Sequence, residues 1–334
     1  MLNKNQQVYQ GDDRLKRIWS LRKLYFNVLL RQMPKFGFIN SARTQFPFAF
    51  KDSPTPPSLS VEFTNLCNLS CTYCTSPLKL RPVGLMSQFT FSRVVKGVVD
   101  CKVKRVRIIG NGEAIIHPDY VQFAKELRKV TPVVSLTTNA KFDKESIIYD
   151  TIDAKLDQIN ISVDSDNKET YEKLRLRGNF DKMLIDLKKL KEYKDKTKSK
   201  TLINIRVMIC PDEFHRQKEI MAFWEPYADV ISKQYVIDIN ETHSSETFAT
   251  DAKDGRFPEC SLPFKILGVQ WNGNIPLCSY SWKQSGLPEG LLLGNIDNTD
   301  LKDLWNGPIA TQYRDAHRQR NEANMPICNN CMGT

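Results

Sequence analysis

Short apolar runs rich in Val and Ile alternate with longer amphipathic stretches along most of the chain beyond residue 57. The runs have the length of strands, and the stretches between them repeat their apolar residues at the spacing of a helix face. Strands that alternate with helices in this way form a parallel sheet, so we expect an α/β protein. The six expected strands are Leu59–Thr64, Arg105–Ile109, Val133–Thr137, Gln158–Val163, Ile203–Ile209 and Gln234–Ile239.

The amphipathic stretches between these strands predict the helices. Pro118 is compatible with a helix start, because the first N–H groups of a helix have no partner within it. In a parallel barrel the reacting groups meet at the carboxyl ends of the strands, so the loops after the strands are the places to look for chemistry. The expected helices are Gln88–Asp100, Pro118–Val130, Lys144–Ile152, Asn179–Tyr193 and Arg216–Tyr227.

The N-terminal region has a different pattern. Residues 14–33 alternate Lys and Arg with large apolar residues, which predicts a basic amphipathic helix. Such a helix packs on the rest of the protein or docks on a membrane surface or another anionic partner. Pro54, Pro56 and Pro57 then mark a linker, because each proline fixes its own φ and favours extended structure before it. We therefore expect residues 1–55 to be an N-terminal extension.

The positive charge is concentrated in the same region. The formal net charge is +10, and residues 1–51 carry ten Lys and Arg against two Asp, which is +8 of that total. The nearly balanced remainder argues against a nucleic-acid groove, so no nucleic-acid partner is expected. No run approaches the roughly 18 apolar residues of a membrane span, and the first residues lack the apolar core of a secretory signal. We expect a cytoplasmic protein, peripheral to the membrane if residues 14–33 dock there.

The nine cysteines are the strongest chemical signal in the sequence. In the cytoplasm they indicate metal or redox chemistry, because a reducing cytosol does not preserve structural disulfides. Cys67, Cys71 and Cys74 follow the first expected strand with the spacing C-x3-C-x2-C. Three thiolates can hold three irons of a 4Fe–4S cluster and leave the fourth iron open for chemistry, whereas structural zinc takes four protein ligands.

This motif at the end of the first strand of a βα series resembles the radical S-adenosylmethionine (SAM) superfamily, and the resemblance covers the chain from about residue 59 to its end. It implies a partial (β/α)6 TIM-like barrel at residues 56–240. It also implies that the open iron of the cluster binds S-adenosylmethionine (AdoMet) through its amino and carboxylate groups. In this family, reductive cleavage of AdoMet yields a 5′-deoxyadenosyl radical, which removes a hydrogen atom from the substrate.

The resemblance assigns further AdoMet contacts outside the cysteine motif. Gly110, Gly112 and Glu113 match the Gly-Gly-Glu position that accepts the methionyl ammonium group. Glycines allow a close approach of the backbone, and a carboxylate accepts a charge-assisted hydrogen bond. Asn111 and Ala114 depart from the glycine and proline that the family more often has. The other implied contacts are Tyr73 near the adenine, Ser162 and Asp164 at the ribose, and Arg175 near the AdoMet carboxylate.

A second set of four cysteines lies towards the C-terminal end, and four ligands make a closed site. With Gly273, this set resembles the twitch domain, the short form of the SPASM extension. The resemblance implies an auxiliary domain at residues 241–334 that holds a second 4Fe–4S cluster; zinc bound by four cysteines is the alternative. The four cysteines are Cys260, Cys278, Cys328 and Cys331.

Two cysteines belong to neither set. Cys101 precedes the second expected strand, at the end of the barrel away from the cluster, so we expect it to be structural. Cys210 closes the fifth expected strand and therefore faces the mouth of the barrel. There it is a candidate hydrogen-atom donor, with a small buried thiol as the alternative interpretation.

The outcome of hydrogen abstraction depends on the groups around the substrate radical. Loss of a proton and transfer of an electron to the auxiliary cluster gives a two-electron oxidation, whereas return of hydrogen by Cys210 from the opposite face gives epimerisation. Peptide maturases of this superfamily usually carry a leader-recognition module of about 80 residues or more, so we expect residues 1–51 to be too short and too helix-like for one. We therefore expect a small-molecule or glycan substrate and, first, oxidation of a carbohydrate-type alcohol; a radical epimerase and a peptide maturase are the alternatives.

The chemistry implied by the resemblance requires a partner protein, and one remote alternative to it remains. A reductively cleaved cofactor needs an electron donor, and we expect one of the flavodoxin or ferredoxin type. A non-catalytic zinc-binding protein would require both cysteine sets to be structural.

Overall fold

In the part of the chain that the structure describes, seven parallel strands form one central sheet. The structure is a computed structural model that describes residues 52–209, 211–234, 260–278 and 292–319. The predicted helix at residues 14–33 lies outside these ranges, so its contact with a membrane surface stays a prediction. No helix within these ranges has the length and the apolar composition to cross a bilayer.

The order of the strands in the central sheet places the first strand near one edge. In chain order the strands are β1 (Ser58–Val61), β2 (Ser70–Cys71), β3 (Arg105–Ile108), β4 (Val133–Thr138), β5 (Gln158–Val163), β6 (Arg175–Leu176), β7 (Leu202–Met208), β8 (Val230–Gln234), β9 (Ile266–Val269), β10 (Asn274–Pro276) and β11 (Leu292–Asn295). The central sheet has the order β8-β7-β5-β4-β3-β1-β9. Two small antiparallel pairs, β2 with β6 and β10 with β11, lie outside it.

Helices follow most of the central strands, as in a TIM-like partial barrel. They are α1 (Gln88–Asp100), α2 (Tyr120–Val130), α3 (Glu145–Asp153), α4 (Lys168–Leu174), α5 (Phe180–Lys196), α6 (Gln217–Phe223), α7 (Leu301–Asn306) and α8 (Pro308–Gln319). Single turns of 3-10 helix occur at Ser76–Leu78, Ala114–Ile116, Glu225–Tyr227 and Leu262–Phe264, and a longer one at Pro211–Arg216. The expectation of an α/β fold with a parallel sheet is confirmed.

Helix α1 shows how local sequence positions the outer layer. Its N-cap is Ser87, whose Oγ accepts a hydrogen bond from the N–H of Thr90 at 3.0 Å. Phe91, Val94 and Val98 then recur at helical spacing on the buried face. The strands contribute their apolar side to the same hydrophobic cluster. Removal of this apolar surface from water is the main force that holds the helices on the sheet.

Five of the six expected strands begin and end within three residues of the predicted positions. The sixth begins four residues before its predicted start. Strand β8 begins at Val230 and ends at Gln234, where the prediction began; residues 235–239 lie outside the described ranges. Asp229 explains the earlier start. Its N–H donates to the carbonyl of Ile203 at 2.9 Å and its carboxylate accepts from the N–H of Ile203 at 2.8 Å, so the pairing with β7 is fixed from Val230 onward.

The seventh strand, β9, was not expected from the sequence. It is only four residues long and contains Gly268, so it gives little strand signal. It pairs in parallel with β1 from Ser58 opposite Ile266 to Val61 opposite Val269. Since β9 belongs to the stretch that we assigned to the auxiliary domain, the tail contributes a strand to the central sheet.

Truncation of Phe91 tests the packing of the outer layer. Its ring stacks on that of Phe123 with 3.8 Å between the centroids and is almost fully buried. We expect Phe91→Ala to lower the free energy of unfolding by about 3–5 kcal/mol, measured by denaturant titration under anaerobic conditions. Phe89 on the same helix is 61% exposed, so Phe89→Ala should change it by less than about 0.5 kcal/mol. Equal losses in the two variants would contradict this packing.

Candidate cluster and AdoMet site

The three cysteines predicted to hold the first cluster lie in one loop after β1. Cys71 belongs to β2 and pairs with Arg175 of β6, which fixes the middle of the loop. The N–H of Cys74 donates to the carbonyl of Cys71 at 3.1 Å, and the N–H of Ser76 donates to Cys74 Sγ at 3.4 Å. All three cysteines are partly exposed, so a cluster can reach their thiols.

The number and burial of these thiols bear on which metal group they can hold. Burial raises the pKa of Cys67 to about 12 and that of Cys71 to about 11. Both thiols therefore keep their protons at neutral pH until a metal ion displaces them. Within the described ranges no three His, Cys, Asp or Glu side chains are arranged to hold a metal ion. Three protein thiolates leave one iron of a 4Fe–4S cluster without a protein ligand, whereas structural zinc takes four protein ligands.

The loop after β3 packs directly on the cysteine loop. A Cβ atom added at Gly112 would overlap the carbonyl oxygens of Leu66 and Thr64, so only glycine permits the approach. The N–H of Glu113 donates to the carbonyl of Leu66 at 2.7 Å. The structure therefore brings the predicted ammonium-binding loop next to the predicted cluster loop.

The Glu113 side chain lies buried at the carboxyl edge of the sheet, and the residue is 3% exposed. Burial raises its pKa to about 7, although the N–H of Asn139 donates to Oε2 at 2.6 Å and partly offsets the cost. The carboxyl group is therefore held between its neutral and ionised forms near neutral pH. A cationic ligand would favour the ionised form.

Asn139 is a site residue that the sequence analysis missed. It follows β4 directly, its backbone N–H donates to Glu113, and its side-chain Nδ2 lies 3.7 Å from Cys67 Sγ and donates to Asn68 Oδ1 at 3.0 Å. One residue thus contacts both the predicted cluster loop and the predicted ammonium acceptor. Its position just past the end of a strand was the signal that could have identified it.

Three of the other predicted AdoMet contacts form a buried cluster with one another. Arg175 donates from Nε to Asp164 Oδ2 at 2.5 Å and from Nη2 to Oδ1 at 3.0 Å. The hydroxyl of Tyr73 donates to the same carboxylate at 3.0 Å, and burial raises the Tyr73 pKa well above its usual value, so it stays a neutral donor. Both oxygens of Asp164 are thus engaged. Ser162 lies two residues earlier on β5, half-buried and opposite Arg206 of β7.

The tail cysteines are only partly within the described ranges. Cys260 is buried just before the turn that leads into β9, and Cys278 is half-buried two residues after β10. Cys328 and Cys331 lie outside the described residues, and so does Cys210, the candidate hydrogen donor. Cys101 is buried in the hydrophobic cluster at the end of α1, as expected for a structural thiol.

Comparison with known families assigns two regions of the chain. Residues 61–220 match the model of the Radical SAM superfamily, and residues 260–332 match that of the SPASM iron-sulfur cluster-binding domain. The first match contains the cysteine loop and the predicted AdoMet contacts. The second contains all four tail cysteines. A radical SAM domain binds a 4Fe–4S cluster and AdoMet, and a SPASM domain binds auxiliary iron–sulfur clusters.

Individual relatives resemble parts of the chain. A GTP 3′,8-cyclase of Petrotoga mobilis is 32% identical over 135 residues, 39% of this chain and 41% of that protein. A GTP 3′,8-cyclase of Desulforamulus reducens is 30% identical over 139 residues, 40% of this chain and 42% of that protein. The matched region spans about two-fifths of these curated relatives.

Solved structures share the fold over more of the chain. BtrN in complex with AdoMet and 2-DOIA covers 84% of this chain and 94% of its own length, with a TM-score of 0.56 and 14% identity. SuiB of Streptococcus suis bound to S-adenosylmethionine covers 90% of this chain and 79% of its own, with a TM-score of 0.62 and 18% identity. Identities this low establish a common fold alone.

Substitution of one loop cysteine tests the cluster assignment. We expect Cys71→Ala to lose the AdoMet-binding cluster and therefore about half of the iron of protein reconstituted without oxygen, because one of two 4Fe–4S clusters remains. Iron and sulfide analysis with the visible absorption spectrum measures this. Cys101→Ala removes a buried thiol outside both sets and should keep the full iron content. Equal iron in the two variants would be evidence against the assignment.

The raised pKa of Glu113 predicts a pH dependence. If the ionised carboxylate accepts the AdoMet ammonium, binding favours the form that lacks a proton, so affinity falls as the pH drops below about 7. We expect the Kd of the reconstituted protein for AdoMet to be about tenfold higher at pH 6 than at pH 8. In Glu113→Gln, which has no charge to titrate, affinity should be weaker and nearly independent of pH. A pH dependence that Glu113→Gln retains would exclude Glu113 as its source.

Proposed function

Because this chain belongs to the radical SAM superfamily and carries a SPASM iron–sulfur domain, we propose that it oxidises an alcohol of a carbohydrate-type substrate to a carbonyl group. One hydrogen atom would leave the carbon, the hydroxyl would release a proton, and an auxiliary cluster held by the tail cysteines would accept one electron. The substrate thus loses two electrons and two protons in total. The first cluster would take one electron for each AdoMet cleaved, and the auxiliary cluster would return one, so a flavodoxin- or ferredoxin-type protein would give and take back electrons in equal number.

The cofactors fit the residues that the site provides. When bound, the 4Fe–4S cluster and AdoMet supply the radical that removes the hydrogen atom. Cys67, Cys71 and Cys74 would hold that cluster, and Glu113 would accept the AdoMet ammonium beside it. Arg175, whose Nε and Nη2 already donate to Asp164, would offer its remaining N–H groups to the AdoMet carboxylate.

The observation that carries this proposal is the polar face of the central sheet. On β5, Ile159, Ile161 and Val163 belong to the hydrophobic cluster under the helices, so Asn160 and Ser162 face the opposite side. Neighbouring strands continue this polar face. Asn204 Nδ2 donates to Asn160 Oδ1 at 2.9 Å, and Ser232 Oγ donates to Asn204 Oδ1 at 3.1 Å.

Hydroxyl and amide groups on the inner face favour a substrate with many hydrogen-bonding groups. An aliphatic substrate would leave unused the second N–H of Asn204 Nδ2 and the lone pairs of Ser232 Oγ, which their bonds within the protein do not occupy. A sugar or an aminocyclitol offers donors and acceptors on every side. This supports a carbohydrate-type substrate over an aliphatic one.

Product analysis tests the reaction. Reconstituted protein with AdoMet, a reductant and a panel of sugars, aminocyclitols and sugar nucleotides should give a product lighter than one of them by two hydrogen atoms, with an equal amount of 5′-deoxyadenosine. We expect Cys278→Ala to lose at least about 90% of the oxidised product while it still cleaves AdoMet, because the electron acceptor is gone. Cys210→Ala should keep both activities.

Each alternative gives a different result in the same assay. Solvent deuterium in a product that is otherwise an isomer of the substrate, lost in Cys210→Ala, would identify an epimerase. Turnover only of a peptide would identify a maturase; SuiB, which shares the fold, has been solved bound to its precursor peptide SuiA. GTP belongs in the panel because the curated relatives are GTP 3′,8-cyclases, and its conversion without a change of mass would replace the oxidation proposal.

A further inference from the structure

The carboxylate of Glu62 lies where three segments of the chain meet. Glu62 follows β1 directly, and its side chain has no exposed surface. A carboxylate in such a place is stable only when hydrogen-bond donors surround it. None of the assignments above gives it a role.

The donors to Glu62 come from different parts of the sequence. Arg81, seven residues after Cys74, donates from Nη2 to both oxygens at 2.9 and 3.1 Å. The backbone N–H of Asn111 donates to Oε2 at 2.8 Å, and that of Trp271 donates to Oε1 at 3.4 Å. The carboxylate therefore joins the segment after the cysteine loop, the predicted AdoMet loop and the tail.

The bond to Asn111 sets the orientation of a peptide group in the AdoMet loop. In a trans peptide the N–H and C=O bonds point in opposite directions, so an N–H directed at Glu62 turns the carbonyl of Gly110 away from it. Gly110 also rests on the same side chain, because a Cβ atom added there would overlap Cγ of Glu62. Glu62 thus determines where the backbone acceptor of this loop points.

Trp271 ties the tail to the same place. Its indole Nε1 donates to the carbonyl of Pro82 at 3.3 Å, and its ring covers Gly84, where an added Cβ atom would overlap it. Trp271 lies in the turn between β9 and β10, seven residues before Cys278. Pro82 and Gly84 lie close to Arg81 in the sequence, and Arg81 donates to Glu62. A shift of the tail at this turn therefore reaches Glu62 through residues 81–84.

We propose that Glu62 is a positioning residue for AdoMet, which holds the Gly110–Asn111 peptide in its binding orientation and makes that orientation depend on the docking of the tail at Trp271. The inference rests on the proposed placement of AdoMet against this loop. By thermodynamic linkage, tail docking raises AdoMet affinity and AdoMet strengthens tail docking by the same factor.

Glu62→Gln is the direct test, because it keeps the shape of the side chain and replaces one oxygen with an NH2 group. Each oxygen accepts from two donors, so either orientation of the amide places its NH2 group against donors. We expect full iron content and an AdoMet Kd about tenfold higher than in the parent protein. The change that AdoMet causes in the electron paramagnetic resonance spectrum of the reduced cluster should require correspondingly more AdoMet.

A matched control separates positioning from a general effect of removing a buried charge. Asp186 on α5 is also a buried carboxylate, 7% exposed in its side chain and paired with Lys182, but it lies on an outer helix away from the three segments. Asp186→Asn should leave the Kd within about twofold of the parent value. Trp271→Ala should raise the Kd by about threefold. Its effect should be smaller in the Glu62→Gln background, because both substitutions interrupt the same connection between the tail and the AdoMet loop.

The binding measurement needs no substrate, so it stands apart from the proposed oxidation. A parent protein that does not bind AdoMet would overturn the AdoMet site itself and this inference with it. Unchanged affinity in a fully loaded Glu62→Gln protein overturns the positioning role. If Glu62→Gln does not fold, Trp271→Ala decides: parental affinity there overturns the inference, and weakened affinity with full iron content supports it.

Discussion

The backbone contact between the loop after β1 and the loop after β3 is the constraint on which the rest of the site depends. Gly112 lies against the carbonyl oxygens of Thr64 and Leu66, and the N–H of Glu113 completes the contact by donating to Leu66. Two loops approach this closely only where one of them lacks a side chain. The contact also removes Glu113 from water, and this burial is the reason that its pKa rises to about 7.

Buried ion pairs, together with the short β2–β6 pair, hold the segments around this contact. Asp164, which follows β5, is paired with Arg175 of β6, and Glu62, which follows β1, is paired with Arg81. Removing one partner from such a pair leaves an uncompensated charge in a place without water, which typically costs about 3–5 kcal/mol. The segments at the carboxyl edge of the sheet therefore depend on one another for their positions, and a change in one reaches the others.

The period of the hydrophobic pattern was sufficient to predict most of the central strands, because the apolar side of each strand is fully buried under helices. It was insufficient for β9, whose four residues include a glycine, and for β8, whose start is fixed by the Asp229 side chain. The cysteine loop was recognisable because its ligands are close in sequence. Asn139 and Glu62 were missed because their roles arise only when distant loops meet. The ion pair between Asp164 and Arg175 was missed for the same reason, since each residue was assigned to AdoMet separately.

Strand β9 changes how the tail should be regarded. A βα unit leaves the outer edge of β1 unpaired, and an uncovered edge exposes backbone groups that must find partners. Here the tail supplies them: the N–H of Glu62 donates to the carbonyl of Val269 at 2.9 Å, immediately before the turn at Trp271. The strand that begins the cysteine loop is thus completed by the segment that leads to Cys278. Cys67 follows β1, and Cys278 follows β10, which a short turn joins to β9, the neighbour of β1 in the central sheet. The distance between the two predicted cluster sites therefore depends on the fold more than on the length of any linker.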